Sequence, residues 1–243
     1  MAACVAAHTL EARDLVVRYG GVSALQGVSL GVASGEVVGL IGPNGAGKTS
    51  FLNAVSGIAA LSDGSVMLDG RAIGGLRADR IARSGVVRTY QNVRLFPTLT
   101  IEQNVRAGSF AAGRAFGPDG LARVLEQTGL ADVAPSAQAG RLPYGIARRV
   151  EIARALAGAP SMLLLDEPAA GLNPAESARL GRLVRSIASS GIGILLVEHD
   201  MQLVGDVCDR VAVLNFGTVI ARGTPAEARR DPAVIEAYLG SAR

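Results

Sequence analysis

The chain has 243 residues, 49% hydrophobic and 19% charged, a length that supports one large α/β domain or one domain with a subdomain set into it. With 24 Lys and Arg against 21 Asp and Glu, the net charge of +3 is too mild for a nucleic-acid binder, which concentrates basic charge on one face. Trp is absent and aromatics are 4%, which argues against recognition of stacked bases.

The opening MAACVAAHTLEARD lacks a positive n-region and a long apolar core, so it reads as a frayed end rather than a signal peptide. Cys4 and Cys208 are the two cysteines, and neither lies in a C-x-x-C arrangement. A disulfide scaffold and a zinc site are therefore not expected, and a reducing cytosol fits. No apolar run approaches the ~20 residues that span a bilayer, so a soluble chain is expected.

In chain order, LEARDLVVRYG (10–20), VSALQGVSL (22–30) and GSVMLDG (64–70) alternate apolar and polar residues, the pattern of antiparallel strands at a domain edge. Val37–Ile41 is instead a short continuous apolar run, the pattern of a strand buried on both faces. A helical pattern follows over Lys48–Ser56. From Arg94 to Pro143 no buried-strand signal occurs. Thr100 and Gln103 offer a capping box for a helix IEQNVRAGSF, with another helix near Leu121–Thr128. Residues 94–158 are thus expected to be a helical subdomain. A helix over Ala147–Ala157, a strand Met162–Leu165, a helix Ala175–Ser189 and a strand Ile192–Val197 complete the pattern. Buried strands alternating with helices predict an α/β fold with a mainly parallel sheet.

Gly42-Pro43-Asn44-Gly45-Ala46-Gly47-Lys48-Thr49 satisfies G-x-x-x-x-G-K-[ST] directly after a buried strand and before a helix, the context this motif requires. The glycines let the backbone curl so that successive N–H groups face phosphate oxygens, and the helix start adds its positive dipole end. Lys48 is expected to reach the β- and γ-phosphates, and Thr49 to bind Mg²⁺ through its hydroxyl. SMLLLDEPAAGLNP then supplies a metal anchor and a base at a strand end. Asp166 would hold Mg²⁺ through a water, and Glu167 would polarise the attacking water. His199, after the third buried strand, falls at the same sheet edge, where it would contact the γ-phosphate. Gln91 lies where a strand meets the helical insert; spacing alone leaves it a Mg²⁺ and γ-phosphate sensor or an ordinary polar loop residue.

Together these residues resemble the ATP-binding subunit of an ABC transporter. Gly42–Thr49 is similar to its Walker A, Gln91 to its Q-loop and Leu142–Ile146 to its signature. Asp166 and Glu167 resemble its Walker B and catalytic glutamate, and His199 its switch histidine. The resemblance runs from residue 8 to 241 and implies a single P-loop ATPase domain. It makes Lys48, Glu167 and His199 the catalytic set and Thr49, Gln91 and Asp166 the Mg²⁺ set. ATP would be held by Tyr19, stacking on adenine, and by Gly42, Asn44, Gly45, Gly47, Lys48, Thr49, Ser50, Gln91 and Gly145. GVVRTYQNVRLFPTLTIEQNV, LDEPAAGLNPAE and DPAVIEAYLG further resemble the ATPases of branched-chain amino-acid uptake systems.

The resemblance implies ATP hydrolysis at the cytoplasmic face of a membrane by two such domains stacked head to tail. Each ATP would lie between one cradle and the other domain's signature. Permease subunits and, indirectly, a solute-binding protein are implied as partners, and no nucleic acid. The branch's signature reads Leu-Ser-Tyr-Gly-Gln, but this chain has Pro143 and Ile146 at the serine and glutamine positions. A missing hydroxyl donor to a highly charged group is worth ~1.5–3 kcal/mol, which favours a heterodimer over a homodimer that carries the defect twice. Nearby backbone donors would leave the change nearly silent if they compensate. Arg148 and Arg149 are read as lining the dimer contact or a solvated helix face, and Leu95 and Phe96 as permease contacts or core packing. A lipopolysaccharide-type exporter ATPase and a non-transport ABC ATPase stay open as alternatives; the coiled coils or tandem cassettes of the latter are missing here.

Overall fold

The computed structural model describes residues 7–113 and 116–239. Of the opening 1–14 expected to fray, residues 1–6, Cys4 among them, lie outside the described residues, whereas Thr9–Asp14 belong to the first strand, held there by antiparallel pairing with strands on both sides. The chain opens with β1 (Thr9–Tyr19), β2 (Val22–Ala33), β3 (Val37–Ile41), α1 (Lys48–Val55), β4 (Asp63–Leu68) and β5 (Arg71–Ala72). Next come α2 (Ala78–Ser84), β6 (Val86–Arg88), α3 (Ile101–Ala111), α4 (Pro118–Gln127) and α5 (Tyr144–Ala157). The last third holds β7 (Met162–Asp166), α6 (Pro174–Ser189), β8 (Gly193–Val197), α7 (Met201–Val207), β9 (Arg210–Asn215), β10 (Thr218–Gly223), α8 (Pro225–Ala228) and α9 (Pro232–Leu239).

One six-stranded sheet has the order β10-β9-β3-β8-β7-β6, parallel throughout except for β10, which pairs antiparallel at one edge. A four-stranded antiparallel sheet has the order β2-β1-β4-β5. The continuous apolar runs are explained by what covers the parallel strands. In β3, Val38 and Leu40 enter one core, shared with the antiparallel sheet and α1. Val37 and Ile41 point the other way, into a core shared with α5, α6 and α7. Leu164 and Leu195 face the first core, Leu163 and Ile194 the second. A strand whose two faces are both dry has no polar face to show. The α/β fold is therefore a mainly parallel P-loop core with an antiparallel edge.

A third apolar cluster joins Ile101 and Val105 of α3, Leu121 and Leu125 of α4, and Val150, Ala153 and Ala157 of α5. Helix α5 reaches both helical cores, because Ile152, Ala155 and Leu156 pack under the parallel sheet. The Thr100–Gln103 box closes reciprocally: the Gln103 amide donates to Thr100 Oγ1 at 3.2 Å and the Thr100 amide to Gln103 Oε1 at 2.9 Å.

One difference from the sequence pattern concerns the site. Helix α5 starts at Tyr144, three residues before the expected Ala147, because Pro143 serves as N-cap at φ −53°. Proline's ring presets that angle, and its carbonyl accepts from the amides of Ile146 and Ala147 at 3.0 and 2.9 Å. The strand expected before Gln91 is the short β6, which pairs with β7 and delivers the segment that carries Gln91 to the sheet edge.

Candidate nucleotide-binding and hydrolysis site

The loop from Gly42 to Gly47 joins the end of β3 to α1, with the residues flanking it held by the central strands. Two of its glycines are required by geometry. Gly42 sits at φ 146°, and a Cβ there would lie 2.1 Å from the Leu214 carbonyl oxygen. Gly47 caps α1 at φ 108°, where a Cβ would meet the Ala24 carbonyl oxygen at 2.7 Å. Only glycine allows the loop to curl this tightly against β2 and β9.

Lys48 is buried, and its ammonium donates to the carbonyls of Gly42 at 2.6 Å and Pro43 at 2.9 Å. Burial lowers its pKa, and the nearby Glu167 and Asp166 carboxylates counter that shift. A desolvated cation is thus aimed across the loop. Asn44, Gly45, Gly47, Lys48, Thr49 and Ser50 line a cleft of about 500 Å³ together with Glu167 and the hairpin residue Phe216. Tyr19 ends β1, half-exposed and paired with Val22, which also lines the cleft.

Glu167 follows β7 at φ 44°, a left-handed conformation rare outside glycine. Such backbone costs about 1–3 kcal/mol and persists where its surroundings over-determine it. Here its amide donates to the Val197 carbonyl at 2.9 Å. Its carboxylate accepts from Gln91 Nε2 at 2.8 Å and stands 3.7 Å from His199 Nδ1. Gln91 and His199, far apart in the chain, therefore converge on one oxygen of Glu167.

Three features were not legible in the sequence. Asp166 is held by Arg88, whose Nη2 donates to Oδ2 at 2.8 Å, both side chains being nearly inaccessible. Arg88 in turn donates to Asn53 Oδ1 of α1 at 2.7 Å and to Oγ of Ser56, which caps that helix, at 3.2 Å, tying the cradle helix to the Walker B strand. Glu198 is fully buried and accepts from the Ala169 amide at 2.8 Å and the His199 amide at 3.1 Å. Burial raises its pKa, and three backbone amides oppose that shift. It staples the loop after Glu167 to the segment carrying His199. The only sequence signal is its place at the end of an apolar strand.

The third feature is a correction: Arg148 lines neither a dimer contact nor a solvated face. It is fully buried and bonded within the chain, while Arg149 donates to the Gly129 carbonyl. Leu95 packs in the helical cluster, whereas Phe96 is 52% exposed beside Arg154 in a groove of about 300 Å³ between helical insert and sheet. Gly145 lies in the first turn of α5, where a Cβ would meet the Glu176 carboxylate at 2.4 Å, and it does not line the cradle cleft.

A Lys-bearing glycine loop at the end of a central parallel strand, with an acidic pair on a neighbouring strand, defines a P-loop nucleotide hydrolase. The particular branch follows from the comparisons. The chain belongs to the ABC transporter family, whose description it matches over residues 25–170. Residues 218–243 also match the "Branched-chain amino acid ATP-binding cassette transporter" description. It is 43% identical to the high-affinity branched-chain amino acid transport ATP-binding protein BraF of Pseudomonas aeruginosa, covering 96% of this chain and 98% of that protein. Identity is 41% to LivG of Escherichia coli K12, a protein of the same description, and 36% to the lipopolysaccharide export system ATP-binding protein LptB of that strain. LivG and LptB each align with 96% of this chain, and with 98% and 97% of their own lengths. Among solved structures, an ATP-binding cassette of an ABC transporter in its ADP conformation superposes with a TM-score of 0.87 at 29% identity, over 96% of this chain and 99% of that one. The protein is accordingly an ATP-binding ATPase subunit of an ABC transporter. Among the described residues no helix is long and apolar enough to cross a membrane.

Proposed function

We propose that this chain hydrolyses ATP to drive uptake of branched-chain or related amino acids through separate permease subunits, docked at the cytoplasmic face of the membrane. Residues 8–241 act as one ATPase domain, with 94–158 as its helical subdomain. The observation that carries the reading is Glu167, clasped by Gln91 and His199 at the rim of the Lys48 cradle. Lys48, Thr49, Ser50 and the loop amides would receive the phosphates, and Tyr19 the adenine. Thr49, Asp166 and the Gln91 amide oxygen offer hard oxygen donors, the set Mg²⁺ takes. Bound there, the ion would neutralise charge developing on the β- and γ-oxygens. Glu167 would accept the proton of the attacking water, and His199 would orient it.

The groove beside Phe96 would receive a short helix of the permease. The C-terminal match and the higher identity to BraF than to LptB support import over lipopolysaccharide export. The signature supports an asymmetric pair. Pro143 caps α5 without a side-chain bond, so Gly145 and the helix dipole remain to face a partner's γ-phosphate while the hydroxyl donor is missing. A second, different ATPase subunit with an intact signature would complete this chain's own cradle.

The test is phosphate release by this chain co-expressed with permease subunits and a second ATPase subunit of a branched-chain amino-acid uptake system. Lys48→Ala and Glu167→Gln are each expected to lower turnover at least ~100-fold, the scale of removing a transition-state contact. Turnover within a few-fold of wild type in either variant would overturn the assignment of that residue. Substrate class is read separately, by stimulation of turnover with leucine-loaded binding protein in proteoliposomes.

A further inference from the structure

Arg148 is the largest of the fully buried side chains, and its bonds run to one loop and to its own helix. Nη1 donates to the Tyr90 carbonyl at 2.7 Å and to Glu151 Oε2 at 2.8 Å. Nη2 donates to the Gln91 carbonyl and, at 3.0 Å, to the Tyr144 hydroxyl. Glu151, one turn further along α5, uses its other oxygen to accept from the Arg94 amide at 3.0 Å. The loop that carries Gln91 is thus held at both ends by α5, at residues 90–91 by Arg148 and at residue 94 by Glu151. Its hold on the parallel sheet is the Thr89 amide, which donates to the Leu164 carbonyl at 2.9 Å.

Packing alone does not account for this arrangement. A guanidinium taken out of water costs several kcal/mol, and an apolar side chain of equal volume fills space without that penalty. Arg148 Nε even stays without a partner. What the guanidinium adds is direction: planar donors that take two successive backbone carbonyls and one phenol at once. Tyr144 belongs to the signature, and Gln91 touches Glu167.

We propose that Arg148, braced by Glu151, is a positioning residue that makes Gln91 and the first turn of α5 move as one body. The signature, which faces a partner's nucleotide, and the amide that orients Glu167 in this chain's own cradle are thereby coupled. When α5 is seated, Gln91 rests on Glu167; when α5 shifts, the contact opens. This inference rests on the ATPase reading above and deepens it.

The experiment compares Arg148→Met, Arg148→Lys and Tyr144→Phe in the full co-expressed complex. Arg148→Met is expected to lower kcat roughly tenfold or more while KM for ATP stays within about twofold, since the cradle is untouched. Arg148→Lys, which keeps the charge and reaches one carbonyl, should recover part of that loss. Tyr144→Phe removes one bond at a half-exposed site, folds regardless, and should lower kcat about two- to fivefold. A kcat within twofold of wild type in all three, or KM rising in step with the loss, overturns the coupling. The tether is also read without turnover, by hydrogen exchange over residues 90–94. Faster exchange there in Arg148→Met and Arg148→Lys, with the 42–49 segment unchanged, supports it, and unchanged exchange overturns it. Loss of all activity in the wild-type complex would instead count against the ATPase reading, and exchange would still decide the tether.

Discussion

Arg88 and Asp166 form an ion pair in which both side chains are almost inaccessible, and neither partner can be removed without stranding the other. Breaking such a pair costs about 3–5 kcal/mol, so Arg88→Met should lower the melting temperature by roughly 6–20 °C. Thermal unfolding by circular dichroism checks this; a drop under a few degrees would mean that water reaches Asp166. Cys208 gives a second residue-scale expectation. Burial pushes its thiol pKa up to about 12, so the native thiol stays protonated at pH 8.5. In a Cys4→Ser background, iodoacetamide should label native Cys208 at least ~100-fold more slowly than the denatured chain, whose thiol titrates near 8.5. The same shift makes the fold lose stability as pH climbs from about 8.5 towards 12, because only the unfolded chain can then release the proton.

Among the elements, α3 and α5 show what local sequence can and cannot say. The Thr100–Gln103 box was readable because all its bonds lie within four residues of one another. The start of α5 was not, because Pro143 replaces a side-chain cap with a preset φ and leaves no polar signature. Pro143→Ser restores a hydroxyl acceptor at that N-cap, which should stabilise the helix by ~1 kcal/mol. It should also raise coupled turnover roughly 10-fold or more if the hydroxyl is what the signature lacks. No gain in a complex that assembles normally would mean that backbone donors compensate. Asn104 anchors the entry to α3: its Oδ1 accepts from the Phe96 amide at 2.8 Å, and Nδ2 donates to the Thr100 carbonyl at 2.9 Å. Asn104→Ala strands these groups inside the protein and should cost about 1–3 kcal/mol in urea denaturation.

Taken whole, the molecule presents a cradle and a signature that do not meet within one chain, since Gly145 lies outside the cleft lined by Lys48. In the proposed function a second protomer closes each nucleotide. With Glu167→Gln slowing hydrolysis, ATP should trap the closed pair, and light scattering reads the mass. The chain mixed with a second ATPase subunit that carries an intact signature is expected to form a two-subunit complex with ATP, while the chain alone stays monomeric. A stable homodimer formed by the chain alone would overturn the asymmetric arrangement.

The sequence by itself determined whatever depends on neighbours along the chain. The Gly42–Thr49 loop is a contiguous backbone shape, and the apolar runs of β3, β7 and β8 report burial on both faces through simple alternation. Only the tertiary structure decided the partners of the charged groups: Arg88 with Asp166, Gln91 with Glu167, Glu198 with the Ala169 amide, and Arg148 with the Gln91 loop. These contacts join residues 29 to 78 positions apart. Periodicity and propensity carry no record of such pairs, because a side chain's partner across a sheet edge is set by strand order and register, which the whole fold establishes at once.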